Sequence, residues 1–101
     1  YSRNVCDGIL RARYRDSFQH PELLEPGKVY RFEVDLWATS NAFLPGHRLR
    51  VVVTSSSFPR FDRNLNTGGP LNKEAAGQSA INTVLHDEFR PSHIVLPVIA
   101  R

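Results

Sequence analysis

Residues 46–68 read GHRLRVVVTSSSFPRFDRNLNTG. Leu49, Val51 and Val53 alternate with Arg48, Arg50 and Thr54. A period of two places one set of side chains on each face of an extended chain, so residues 47–57 are predicted to be a strand with one apolar face. The Pro45-Gly46 pair that precedes it is a turn signal. Ser55 and Ser57 continue the inward row and are small enough for a place where sheets pack closely. The same stretch sets three serines between His47 and Asp62. It therefore decides between a catalytic centre and the corner of a β-scaffold.

The rest of the chain favours the scaffold. Over residues 28–37, Tyr30, Phe32, Val34 and Leu36 alternate with Arg31, Glu33 and Asp35, the cleanest strand pattern present. Residues 8–15 repeat it in short form, with Leu10, Ala12 and Tyr14 opposed by Arg11, Arg13 and Arg15. Residues 79–87 and 93–99 are predicted as two further strands, the last an edge or bulged one because Pro97 lacks an amide donor. The connections over 19–27 and 58–77 are rich in Pro, Gly and Asn, and only residues 72–76 suit a turn or two of helix. A loop of about twenty residues is uncommon inside a compact domain, so 58–77 is expected to pack against something else. Arg11, Arg13 and Arg15 are expected to pair across strands with Glu33 and Asp35.

Composition bounds the function. A chain of 101 residues with 41% hydrophobic and 23% charged residues is an ordinary globular one, sized for a single modest core. The net charge of +3 arises from Arg far more than Lys, scattered instead of clustered. A nucleic-acid partner would need a basic patch with stacking aromatics, and none is visible. No apolar run of spanning length and no leader-like segment marks a membrane partner or a signal peptide. With Cys6 the single cysteine there is no internal disulfide. The compartment stays open between cytoplasm and secretion.

The chemistry candidates are weak. An α/β-hydrolase nucleophile sits in a G-x-S-x-G elbow, because only that strained turn exposes the hydroxyl to its histidine and oxyanion hole. Ser55, Ser56 and Ser57 have no such flanks. His86 and Asp87 are adjacent, so on a strand they point to opposite faces and cannot act as base and orienter. His86 is expected to be a structural histidine, and His20 and His93 to be exposed. The four histidines lack metal-ligand spacing, and the NTGGP glycines follow no phosphate-loop pattern, so no metal or cofactor is expected. What remains is the loop holding Phe58, Arg60, Phe61, Asp62, Arg63, Asn64 and Asn66. Its polar groups suit a rigid segment that satisfies itself and nearby backbone, with aromatics anchoring it to a surface.

Three blocks, GHRLRVVVTSSSFPRFDRNLNTG, DGILRARYRDS (residues 7–17) and HDEFRPSHIVLPVI (residues 86–99), resemble the C-terminal domain of the X-Pro dipeptidyl-peptidase and cocaine esterase (CocE/NonD) family of serine hydrolases. The blocks stand in the family's order and span nearly the whole chain. The resemblance implies an all-β fold, an antiparallel jelly-roll β-sandwich of galactose-binding-like type, following an α/β-hydrolase domain with a helical cap. It implies a parent acting as an acyl esterase, acylase or dipeptidyl-peptidase. Its Ser-Asp-His triad lies in the hydrolase domain, so no catalytic residue maps onto this chain.

A jelly roll has about eight strands, whereas five are predicted here. Residues 1–101 are thus expected to be the C-terminal portion of one incomplete sandwich domain. Its partner would be the α/β-hydrolase domain of the same parent chain, with homo-oligomer contacts also open. The seven loop residues, Phe58 to Asn66, are the candidates for that domain interface. A rival reading is an independent carbohydrate- or ligand-binding jelly roll, which would display exposed aromatics; Trp37, the single tryptophan, stands at a predicted strand end where a core or interface role fits at least as well.

Overall fold

The computed structural model describes residues 1–100. They group into two units, Tyr1–Leu49 and Arg50–Arg101, each with its own internal contacts. Backbone hydrogen bonds among the described residues close turns and loops instead of running along strand ladders. The regular elements are one 3-10 turn, Ala12–Tyr14, and an isolated antiparallel bridge between His86 and Pro91.

The first unit is organised around Arg15. Residues 8–15 do not continue as the expected strand, because the chain tightens at Ala12–Tyr14, where Tyr14 N–H donates to Arg11 O at 2.9 Å. The Arg15 guanidinium then donates to Ala12 O at 2.9 Å and to Glu22 O at 2.7 Å. Glu22 N–H returns to Arg13 O at 2.8 Å, so residues 13–22 form a loop clasped at its neck. The expected pairing of Arg15 with Glu33 or Asp35 gives way to Asp16 and Glu22, whose carboxylates lie 3.5 and 3.6 Å away. Local geometry wins because a planar fork reaches two carbonyls and two carboxylates of its own loop without waiting for a neighbouring strand.

Residues 28–37 keep the period of two without a partner strand. Tyr30 and Phe32 stack with ring centroids 6.4 Å apart, while Arg31 and Glu33 form an ion pair at 2.7 Å. Both pairs are two residues apart, as alternation requires. Asp35 instead caps the following bend: its Oδ1 accepts Trp37 N–H at 2.7 Å, and Trp37 sits at φ 64°. That conformation is rare for a bulky side chain. Turns at Glu25–Lys28 and Leu44–His47 carry Pro followed by Gly at φ 80° and 83°, and each closes by an i to i+3 hydrogen bond. This is the type II arrangement, in which the third residue must tolerate positive φ.

Gly8 matters for another reason. A methyl group at Gly8 would overlap the Asp35 carbonyl oxygen and lie 3.0 Å from Val34 Cγ1. Thr39 Oγ1 also donates to Val5 O at 3.3 Å. Residues 5–8 and 34–39 therefore run against one another, and the absence of a Cβ lets them do so.

In the second unit, the predicted helix near 72–76 is absent. Asn72 takes φ 60°, which a right-handed helical turn cannot accommodate. The long connection is nonetheless ordered as a closed loop. Gln78 N–H donates to Leu65 O at 2.8 Å, Asn66 Nδ2 donates to Gln78 O at 2.9 Å, and the Thr67 hydroxyl bonds the Glu74 carboxylate across the interior. A Cβ on Gly77 would press on Leu65 at 3.2 Å, so the neck is close-packed. Such a loop, with its ends together and held by its own side chains, is an Ω-loop.

No hydrophobic side chain is buried among the described residues, and Leu49, Val51 and Val53 stand 61%, 63% and 69% exposed. The chain exposes 10060 Å². A folded domain of this mass exposes about 5,800 Å² and its extended chain about 17,000 Å². Ladders are missing for the same reason: a half-buried strand is stable only when another layer covers its apolar face.

Two outcomes follow. The isolated 101-residue chain should show no cooperative thermal transition by circular dichroism, or should self-associate; a monodisperse monomer melting sharply would contradict this. In the full-length protein, Gly8→Ala should cost about 1–3 kcal/mol by overpacking, read as a lowered midpoint in urea, whereas an unchanged midpoint would show that residues 5–8 and 34–35 do not touch.

Candidate functional site

The seven candidate residues lie in the second unit. The loop begins with a tight turn, Phe61 N–H donating to Ser57 O at 3.0 Å around a cis Phe58-Pro59 bond. Each phenylalanine carries an arginine. The Arg63 guanidinium carbon lies 4.6 Å from the centroid of Phe58, and that of Arg60 lies 5.3 Å from the centroid of Phe61. Cation and ring attract through the quadrupole of the aromatic face. Asn64 Oδ1 accepts Asn66 N–H at 3.0 Å, which holds Asn66 at φ 57° and aims its amide at Gln78 O. Asn tolerates this left-handed backbone better than most residues. Asn64 and Asn66 thus satisfy part of the loop's polar groups and the backbone beside it, while Arg63 makes a ring contact alone. Phe61 is half-buried, Phe58 is 59% exposed, and Asp62 is exposed but engaged within the molecule.

The serine stretch is closed by its own turn. Ser56 N–H donates to Thr54 Oγ1 at 3.2 Å, and the Thr54 hydroxyl returns to Ser56 O at 3.3 Å. Among the described residues no hydrogen bond joins Ser55, Ser56 or Ser57 to a histidine, and no group of three His, Cys, Asp or Glu side chains could hold a metal ion. No described helix is long and apolar enough to cross a membrane. Trp37 is 80% exposed.

The third block folds as a turn built by Asp87. Its Oδ1 accepts the amides of Phe89 at 3.0 Å and Arg90 at 2.9 Å, and its Oδ2 lies 2.8 Å from the Arg90 guanidinium. Asp at the first position of a turn mimics backbone in this way. The carboxylate is fully engaged by its own turn and does not orient His86, which sits in the bridge to Pro91. Ser92 Oγ reaches Leu85 O beneath it, and His93 Nδ1 faces Pro91 O at 2.5 Å. His20 and His93 are exposed, as predicted.

Arg15 and Asp87 were not singled out from the sequence as organising residues. For Asp87 the signal was present in D-E-F-R, an acid three residues before an arginine at a turn. For Arg15 no local spacing betrays the Glu22 and Tyr30 contacts, the guanidinium lying 4.9 Å from the Tyr30 centroid.

The turns at 54–56, 64–66 and 87–90 are each closed by side chains that bond neighbouring backbone. Comparison with known proteins gives the chain a family. Residues 2–95 match the X-Pro dipeptidyl-peptidase C-terminal non-catalytic domain, and the chain belongs to that family. It is 50% identical over 99 residues to a cocaine esterase of Rhodococcus sp. (strain MB1 Bresler), an alignment covering 96% of this chain and 17% of that protein. No solved structure matches.

The Asp87 turn has a testable pH dependence. The Arg90 side-chain hydrogen bond holds the carboxyl below its ordinary value against an upward push from desolvation, and the Arg90 and Phe89 amides add smaller downward contributions. A lowered value in the folded state means that the turn is fully stabilised above the ordinary carboxylate pKa of about 3.9 and loses that contribution as pH falls below it towards the lowered value. An NMR titration of the Asp87 carboxyl carbon should give a midpoint below that of a free aspartate, and Arg90→Ala should move it upward. A midpoint at the free value would mean that the turn does not persist in solution.

Proposed function

We propose that residues 1–101 belong to a jelly-roll β-sandwich that buttresses the α/β-hydrolase domain of a CocE-type serine hydrolase. The parent would act on ester or amide bonds. The observation that carries this reading is the uncovered apolar row Leu49, Val51 and Val53, together with the absence of any buried hydrophobic side chain among the described residues. Alternating apolar residues left open to this extent call for a covering layer, and large exposed apolar patches mark interaction surfaces. The family's non-catalytic character and its kinship with an esterase of which the alignment covers 17% supply the kind of layer to expect.

In this reading the module works indirectly. Sandwich strands lying outside residues 1–101 complete the sheets, and the docked sheet holds the walls of the cleft and keeps water from it, which strengthens electrostatic contacts at the reacting centre. The 58–66 loop, shaped by its own contacts, would lie at the boundary between the two domains. Exposure of Trp37 does not favour the carbohydrate-binding alternative, because Phe18 and Phe89 are at least as exposed without any such role being indicated.

In the full-length protein, Val53→Asp should lower the melting temperature sharply, since an unpaired charge facing an apolar layer costs several kcal/mol. Asp62→Ala should lower it by about 2–4 °C, and both variants should leave the ratio of kcat/KM between two ester substrates near the parent value. Loss of turnover with an unchanged melting curve would replace the buttress by a direct catalytic role.

A further inference from the structure

Arg63 differs from Arg15, Arg31 and Arg90. Arg15, Arg31 and Arg90 each hold a carboxylate of their own unit. The Arg63 guanidinium is exposed and lies over the ring of Phe58 at 4.6 Å, with no hydrogen bond or ion pair to the described residues. Phe58 is itself open to solvent. A guanidinium is a planar fork with five donors and no acceptor, and its edge matches the two oxygens of a carboxylate. Contact with an aromatic face limits the rotamers of the long side chain without consuming those donors. Less conformational freedom is then lost when a carboxylate arrives.

We propose that Phe58 and Arg63 form a prealigned carboxylate clasp whose occupant is an Asp or Glu side chain on the surface of the hydrolase domain of the same parent chain. The net charge of +3 on residues 1–101 favours an acidic counterpart. The proposal rests on the docking reading above and adds to it the chemistry of one contact. The clasp needs a ring and a fork together: a lysine at 63 keeps the charge but loses the bidentate edge, and alanine at 58 keeps the fork but frees its rotation.

The test uses the full-length protein. Arg63→Lys introduces an amine that a water-soluble carbodiimide can couple to an adjacent carboxylate; an amide bond forms, and the carbodiimide leaves as its urea. Peptide mapping by mass spectrometry should find that link joining position 63 to an acid outside residues 1–101. Arg63→Lys, Arg63→Ala and Phe58→Ala should each lower the melting temperature by about 2–4 °C. A link from position 63 to an acid within residues 1–101 would overturn the proposal in favour of self-pairing or a second copy. Absence of any link at 63 while Lys28 or Lys73 does couple, or a parental melting temperature for Arg63→Lys, would overturn it as well. If Val53→Asp destabilises the protein while position 63 fails these criteria, the docked sheet stands and the clasp falls; if neither responds, the docking reading itself fails.

Discussion

Apolar side chains that alternate along an extended backbone hold it in place only when a second layer takes them out of water. Among the described residues that condition is unmet in both units: Val51 and Val53 in the second unit, and Phe32 and Val34 in the first, lie open. The order that exists must therefore come from short-range contacts. An exposed ion pair is worth about 0–1 kcal/mol and an exposed cation–π contact about 0.5–1 kcal/mol. Fixing one residue's backbone costs about 1–2 kcal/mol. Contacts of that size can shape a turn or close a loop; they cannot hold a sheet together. In the proposed docking, the burial that stabilises this module is completed by polypeptide packed against it.

The short-range contacts are placed where the three family-like blocks lie. In residues 7–17, Gly8 admits the Asp35 backbone and Arg15 clasps the loop to Glu22. In 46–68, the two Phe-Arg contacts and the Asn64–Asn66 bond stiffen the segment that leads into the Ω-loop. In 86–99, Asp87 builds the turn and Ser92 ties it to Leu85. Each block thus contains a device that sets local geometry in advance of packing. Segments between devices, such as 47–53 and 93–99, carry the apolar rows and no device of their own. This division suits a docking module: corners are preset, and faces are left for a partner.

The division also explains what could be read from the sequence. Both Pro-Gly turns were legible because positive φ at the glycine is a local requirement, and the alternation over 28–37 survives in the Tyr30–Phe32 stack and the Arg31–Glu33 pair. The Asn64–Asn66 bond within 58–66 accords with the density of Asn, Asp and Arg there. Residues 8–15 were misread because alternation was taken to persist where a guanidinium could reach back to Ala12 O, and 72–76 because composition does not reveal that Asn72 turns left-handed. Sheet pairing belongs to a different level: it depends on which strands lie alongside, and periodicity states a need for neighbours without naming them.

The excess of arginine over lysine follows from the same shortage of internal burial. A lysine ammonium is a hydrated point charge on a flexible stem, and in a segment without a core it would remain mobile. A guanidinium can lie on a ring by its face and bond through its edge at once, as Arg15 does between Tyr30, two carbonyls and two carboxylates. Arg63 has the ring and lacks the carboxylates, so it presents half of the Arg15 arrangement to the outside. If the finished arrangement closes a loop in the first unit, the unfinished one in the second has the geometry to close against another surface. The same side-chain chemistry would then order the module internally and attach it.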